Sequence, residues 1–268
     1  MVEPLVLFAV GLAAGVLSGM FGIGGGVVIV PVLVMLGFGL QEAIGTSLAA
    51  LLMPVGIFAA IAYYRAGKLK ISTSSLVALG LVAGAALGAE IALTLNAEHL
   101  QKAYAIFLLV AGWRFAEPRK WLAERRAAVR PPPPPESEPA SAAWFVILAV
   151  GFAAGILSGF FGVGGGIVIV PALVGLLHFD QKLAGGTSLG ALVISAGINL
   201  ALIPFGLGAA VTYHEAGMLD VATAAAVALG LSVGALGGAR LALRMSSVMV
   251  KRLYGVFLLL IAIRFLFF

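Results

Sequence analysis

Long apolar stretches alternate with short polar ones along the whole chain. The first half contains five of these stretches, at residues 4–21, 26–39, 44–64, 72–95 and 99–116. The second half repeats the series at residues 143–161, 166–179, 185–213, 221–245 and 249–267. A helix of roughly 20 apolar residues is long enough to cross the hydrocarbon core of a bilayer. The pattern predicts an all-α polytopic membrane protein.

The two halves are copies of each other. The stretch from Gly11 to Pro31, GLAAGVLSGMFGIGGGVVIVP, returns from Gly151 to Pro171 as GFAAGILSGFFGVGGGIVIVP. A repeat of this length indicates one structural unit that is present twice. The third segment is longer in the second copy and contains Pro204, which predicts that the segment bends there or extends out of the membrane. The resulting division is membrane repeat 1 at 1–116, a linker at 117–142 and membrane repeat 2 at 143–268.

Composition excludes several classes of protein. The chain is 62% hydrophobic and 10% charged, whereas soluble domains average about 25% charged residues. It has no cysteine, which excludes disulfides and thiolate chemistry, and its three histidines and scattered carboxylates offer little to an enzyme. No catalytic residue, metal site or cofactor is predicted. The chain has a net charge of +5, but the basic residues of a membrane protein usually lie in its cytoplasmic loops. No binding to nucleic acid is therefore predicted.

Loop charges predict opposite orientations for the two halves. The loop between segments three and four is basic in the first half, and its counterpart carries His214, Glu215 and Asp220. The next loop is nearly neutral in the first half and basic in the second, with Arg244, Lys251 and Arg252. Because cytoplasmic loops carry an excess of Lys and Arg, the pattern predicts inverted-topology repeats. Both termini are then predicted to lie on the outer side of the membrane, opposite the cytoplasm. The linker, with its basic residues and the prolines at 131–135, is predicted to be a cytoplasmic extended spacer.

Each half then crosses the membrane an odd number of times, in one of two ways. Either all five segments cross, or the first two form a re-entrant, glycine-broken pair and three cross. The short second segment, about 14 residues and about 21 Å as a helix, favours the broken pair. Inverted repeats with broken helices are typical of secondary transporters.

Glycines occur in two patterns with different meanings. Spaced glycines every fourth residue, as at Gly11, Gly15 and Gly19, predict helices that pack closely in lipid. The runs at Gly22–Gly26 and Gly162–Gly166 are different, because consecutive glycines unwind a helix in the middle of the membrane. The backbone N–H groups at the start of the following half-helix then form a site that attracts anions. Neither run has the spacing of a dinucleotide-binding or ATP-binding loop.

Hydroxyl side chains accompany both glycine runs and complete the predicted anion site. They can donate to a small anion without a buried charge, although such side chains often bond only to their own helix. Glu90, which is equivalent to Arg240 in the second repeat, is predicted to be an interfacial anchor or, alternatively, the carrier of a coupling proton. Arg114 and Arg264 are predicted anchors at segment ends. Asn199, Tyr63, Tyr213 and His214 receive no assigned role.

The duplicated element GxxxGxxSGxFGxGGGxxxxP, followed by Gln and by GlyThrSer, resembles the TauE/SafE family of sulfite and organosulfonate exporters. The resemblance covers nearly the whole chain. It implies a multi-pass permease of the plasma membrane, the inner membrane of a bacterium, that exports small sulfur-containing anions without ATP. The residues that match the motif, and that the resemblance implies line the anion path, are Ser18, Gly22, Gly24, Gly25, Gly26, Thr46, Ser47, Ser158, Gly162, Gly164, Gly165, Gly166, Thr187 and Ser188.

The leading interpretation is a secondary transporter in which two inverted halves alternate access to an anion near the midplane. Its expected partners are a small anionic substrate and the lipid bilayer, and the sequence does not specify an oligomeric state. An anion channel with the same pore and a permease for another small organic acid stay open as alternatives. An intramembrane enzyme is a third, which the scarcity of catalytic side chains disfavours.

Overall fold

A computed structural model of the chain describes residues 2–53, 56–116 and 143–246, together with Met249, Leu259, Leu260 and Ile263. The described part is helical and contains no strand, which confirms the predicted all-α class. Its helices are α1 (Pro4–Phe21), α2 (Gly26–Met35), α3 (Leu40–Leu52), α4 (Ile57–Arg65), α5 (Ile71–Thr94), α6 (Ala97–Ala116), α7 (Trp144–Phe161), α8 (Gly166–Leu176), α9 (Gln181–Leu202), α10 (Ala209–Glu215) and α11 (Val221–Arg244).

The predicted segments match these helices closely except for the third in each half. In the first half, the segment predicted as continuous at 44–64 is two helices, α3 and α4. In the second half, α9 ends at Leu202 and is followed by a 3-10 turn, Ile203–Phe205, and by Gly206 in the left-handed region, which confirms the bend predicted at Pro204. The predicted linker at 117–142 and most of the segment predicted at 249–267, with Lys251, Arg252 and Arg264, lie outside the described residues.

Five described helices are long and apolar enough to cross a membrane: α1, α5, α7, α9 with its 3-10 turn, and α11. A sixth span results if α3 and α4 form one bent crossing. By contrast, α2 has 10 residues and α8 has 11, which as helices extend about 15 and about 17 Å, roughly half of the hydrocarbon core. Each repeat therefore begins with a full-length helix followed by a half-helix. The opposite orientation of the two repeats stays a prediction.

The two repeats interlock through their glycine ladders. Helix α1 packs along α11, and α5 packs along α7, so the first helix of each repeat lies against the long fourth-segment helix of the other. A Cβ atom at Gly19 would overlap the carbonyl oxygen of Ala235, and one at Gly159 would overlap that of Ala85. Backbone thus lies directly on backbone at these crossings, which confirms that the spaced glycines serve close packing.

Two buried tyrosines fasten the fold beside the ends of α1 and α7. The Tyr63 hydroxyl donates to the carbonyl oxygen of Gly19 at 3.0 Å, and the Tyr213 hydroxyl donates to that of Gly159 at 3.1 Å. These tyrosines occupy equivalent positions in the repeats, so the same brace occurs twice. It holds α4 against α1 and α10 against α7.

An ion pair joins the two repeats outside the apolar segments. Lys68, in the loop before α5, donates to the Asp180 carboxylate at 2.8 Å, and Asp180 also caps the first turn of α9 through the backbone N–H groups of Lys182 and Leu183. Partial burial raises the pKa of Asp180, but the Lys68 ammonium and these N–H groups outweigh burial and hold the pKa below its usual range. Both side chains are about one-third exposed, so the pair contributes at most about 1 kcal/mol to stability.

Candidate functional site

Both glycine runs interrupt the helical path as the sequence predicts. Helix α1 ends at Phe21, α2 begins at Gly26, and the glycines between them include Gly24 and Gly25 with φ of +87° and +86°. The second run has Gly164 and Gly165 at +80° and +76°. Residues with a side chain rarely adopt this left-handed region, and glycine does so without steric cost. The conformation of each break therefore requires glycine.

The two breaks lie against each other although 140 residues separate them in the chain. A Cβ atom at Gly24 would be 3.4 Å from the Cα atom of Gly164, and one at Gly164 would be 3.4 Å from the Cα atom of Gly24. A Cβ atom at Gly26 or Gly166 would overlap the carbonyl oxygen of the first glycine of the opposite break. The breaks form one contact of backbone with backbone between the repeats.

Two buried serines hold this contact. The Ser47 hydroxyl donates to the carbonyl oxygen of Gly162 at 2.9 Å, and the Ser188 hydroxyl donates to that of Gly22 at 2.6 Å. Each hydrogen bond crosses from one repeat to the other. Helix breaks leave carbonyl groups without intrahelical partners, and an unpaired buried carbonyl is costly in a membrane protein. The two serines thus satisfy groups that the breaks expose.

The neighbouring threonines also cross between the repeats. The Thr46 hydroxyl accepts from the backbone N–H of Asp220 at 3.0 Å, and the Thr187 hydroxyl accepts from that of Lys70 at 3.1 Å. Both threonines are fully buried. The GlyThrSer triplet of each repeat therefore connects α3 or α9 to the other repeat at two points.

We expect Ser47→Ala and Ser188→Ala each to lower the free energy of unfolding by about 1–2 kcal/mol, because each leaves a buried carbonyl without its donor. Denaturation of the purified protein in detergent measures the change. Ser75→Ala is the matched control, since the Ser75 hydroxyl donates to the Ile71 carbonyl of its own helix at 3.0 Å in an exposed position. Equal stability of all three variants would contradict a structural role for the buried pair.

Backbone N–H groups without partners line up at the start of each half-helix. The first hydrogen bonds of α2 are donated by Val28 and Ile29 to the Gly25 carbonyl, and those of α8 by Val168 and Ile169 to the Gly165 carbonyl. Within the described ranges, the N–H groups that precede them, those of residues 24–27 and 164–167, make no hydrogen bond. These groups lie at the positive ends of two helix dipoles, which attract anions.

A cavity of about 70 Å³ lies beside the meeting point of the breaks. Gly24 and Gly164 line it, as do Ser18 and Ser158, which are 3% and 2% exposed. Neither serine hydroxyl makes a hydrogen bond to the described part of the chain. One water molecule needs roughly 10–15 Å³ of cavity volume. The cavity therefore has room for several waters or one small anion.

The chemistry of the cavity is neutral. Its other described walls are mostly leucine, valine and alanine, and no charged side chain is among them. Hydroxyl and amide donors can bind an anion without a buried cation, and no carboxylate in the described lining repels one. The described residues also contain no cluster of His, Asp and Glu that could hold a metal ion.

The remaining predicted residues lie around the cavity and not on its described surface. Gly22, Gly26, Gly162 and Gly166 form the backbone contact between the breaks, and Thr46, Ser47, Thr187 and Ser188 hold it. Gly25 packs against Leu231, and Gly165 packs against Leu81. Glu90 is exposed on α5, and its counterpart Arg240 is exposed on α11; neither lines the cavity.

Two lining residues were given no role by the sequence. Ser195 and Asn199 lie on the cavity face of α9, where the second repeat is longer than the first. The available signal was an asparagine inside an apolar segment. It was not decisive, because an isolated polar residue often bonds only to its own helix.

The sequence model of the family described as "Sulfite exporter TauE/SafE" matches residues 7–265. The chain belongs to the TauE/SafE family. This match confirms the resemblance carried by the duplicated glycine motif, and it extends over both repeats.

Relatives of this TauE/SafE protein are named as transporters. The probable membrane transporter protein YunE of Bacillus subtilis is 28% identical over 205 residues, which cover 72% of this chain and 75% of YunE. The probable membrane transporter protein YdhB of the same organism is 27% identical over 243 residues, 88% of this chain and 89% of YdhB. These names agree with a multi-pass membrane transporter and with the prediction that the protein is not an enzyme. No solved structure matches the chain.

Proposed function

We propose that this TauE/SafE protein is a secondary transporter that exports a small sulfur-containing anion, such as sulfite or an organosulfonate, by alternating access. One observation supports the proposal: two unpaired serine hydroxyls and one glycine of each break line a cavity between the repeats that has no charged side chain in its described lining. The other unpaired backbone N–H groups of the two breaks lie beside this cavity. A site of neutral donors binds an anion and releases it again, which a carrier requires. The interlocked repeats supply two similar walls that can rock against each other.

The membrane potential provides a driving force for export. With the inside negative, moving one negative charge outward gains about 2.3 kcal/mol per 100 mV. In this proposal both termini lie on the outer side of the plasma membrane, and the linker at 117–142 lies on the cytoplasmic side. Coupling to a proton through Glu90 stays a prediction, and the exposed position of Glu90 on α5 does not favour direct contact with an anion in the cavity.

The test of this function is uptake of radiolabelled sulfite into proteoliposomes, with and without imposed voltage and pH gradients. Sulfate, thiosulfate, sulfoacetate and acetate serve as competitors. Saturable flux that responds to voltage and is inhibited by sulfur anions is the expected result. Unsaturable conductance would indicate a channel, and inhibition by acetate alone would indicate a permease for another organic acid.

Ser18→Ala and Ser158→Ala are each expected to raise the KM for the transported anion about 10- to 100-fold, the value of one hydrogen bond to a charged group. Neither change should lower the unfolding temperature, because neither hydroxyl makes a hydrogen bond in the described part of the chain. Flux and melting measured on the same preparations separate this effect from that of Ser47→Ala. An unchanged KM in both variants would exclude these serines from the binding site.

A further inference from the structure

The cavity extends along one face of α9 away from the glycine breaks. Leu192, Ser195 and Asn199 all line it, at the three- and four-residue spacing of a single helix face. A Cβ atom at Gly24 would be 3.1 Å from Cδ1 of Leu192, so Leu192 marks the end at the breaks. Asn199 follows seven residues later, about 10 Å along the helix axis. The cavity is therefore elongated, with Asn199 at the far end.

The Asn199 side chain has hydrogen-bonding capacity to spare. Its Nδ2 donates to the Ser195 carbonyl at 2.9 Å, which uses one of two N–H groups and fixes the orientation of the amide. The second N–H group and Oδ1 have no hydrogen-bond partner in the described part of the chain. Gly208, with φ of +116°, makes room for this arrangement, since a Cβ atom there would be 2.9 Å from Oδ1.

The two ends of the cavity differ in origin. Both repeats contribute to the end at the glycine breaks, through Ser18 with Gly24 and Ser158 with Gly164. At the far end the polar groups come from the second repeat alone, because the described lining residues of α3 are leucines. A ligand therefore meets symmetric donors at one end and a single amide at the other.

We infer that Asn199 is a specificity-determining residue that binds a polar group on the transported anion, at the end opposite its charged head. This inference rests on the proposed transport function. A hydrogen bond at each end occupies about 3 Å. Of the roughly 10 Å between the breaks and Asn199, about 4 Å is left between the two polar ends of the ligand. That length fits an anion whose hydrogen-bonding group lies two carbon atoms from the charged head, whereas a compact oxyanion reaches one end only.

The experiment compares ethanesulfonate with 2-hydroxyethanesulfonate as competitors of sulfite flux into proteoliposomes that contain the full chain. These two anions differ only in the terminal hydroxyl. In the wild type, the hydroxylated anion should compete about 5- to 10-fold better, the value of one hydrogen bond to an uncharged group. In Asn199→Leu, this preference should vanish while inhibition by ethanesulfonate stays within about 2-fold.

Gly197→Ala is the matched control, because Gly197 lies on the exposed face of the same helix and a Cβ atom there would contact nothing within 4 Å. It should keep the wild-type preference. If Asn199→Leu does not fold, Asn199→Ala carries the same expectation with less bulk. Sulfite flux without any preference in the wild type, or a preference that survives in the Asn199 variants, overturns this inference alone. Absence of flux for every sulfur anion overturns the proposed function and this inference together.

Discussion

Gly238→Ala is expected to destabilise the protein by roughly 3 kcal/mol, whereas Gly237→Ala, one residue earlier on α11, should leave stability unchanged or raise it by up to about 1 kcal/mol. A Cβ atom at Gly238 would overlap the carbonyl oxygen of Val16, and that backbone atom cannot move without separating α1 from α11. A Cβ atom at Gly237 would contact nothing within 4 Å. Added bulk therefore acts in opposite directions at adjacent positions.

Thermal unfolding and monodispersity in detergent measure this difference. Both variants add the same methyl group to the same helix, so helix propensity and hydrophobicity cancel in the comparison. Similar melting temperatures for the two would contradict the close packing of α1 on α11. A loss of stability in Gly237→Ala would show that its face of α11 is covered by something other than the described residues.

Gly25→Val and Gly165→Val are expected to reduce anion flux to the level of empty liposomes while the protein still inserts in the membrane. Both glycines have φ in the left-handed region, and a Cβ atom at Gly25 would be 2.7 Å from Cδ1 of Leu231 and 3.5 Å from Cβ of Ser18. A branched side chain there would turn the backbone of the break, and with it the unpaired N–H groups at residues 24–27.

Gly37→Val is the control for backbone strain. Gly37 has φ of +98° in the exposed turn after α2, and a Cβ atom there would contact nothing within 4 Å. In Gly37→Val, backbone strain should lower the free energy of unfolding by about as much as in Gly25→Val. The anion flux of Gly37→Val should stay at the wild-type level. If both variants lose flux equally, general strain is the cause; wild-type flux in Gly25→Val would refute the anion site at the breaks.

The predicted residues illustrate how far a sequence motif can define a site. Ser18 and Ser47 both accompany a glycine break, and both are hydroxyls in a membrane helix, so the sequence could not separate them. In the structure, Ser18 lines the cavity and has no hydrogen bond in the described protein, while Ser47 donates to the carbonyl of Gly162 in the other repeat. The partner of Ser47 lies 115 residues away in the chain, and local spacing carries no information about it.

Asn199 shows a second limit. It lies where the second repeat is longer than the first, so comparison of the repeats offers no counterpart and no recurring pattern. Its inferred role follows from the cavity, which α9 lines from Leu189 to Asn199.

The amino-acid sequence alone determined the features that depend on local chemistry. The span of α1, the unwinding at Gly22–Gly26, the short α2 and the close packing of the spaced glycines all follow from hydrophobic length and from the missing Cβ of glycine. The tertiary structure decided which surfaces meet: α1 with α11, α5 with α7, and one glycine break with the other. In lipid, apolar surfaces show no general preference for one another, so partners are selected by backbone fit and by hydrogen bonds between distant residues, which only the folded chain brings together.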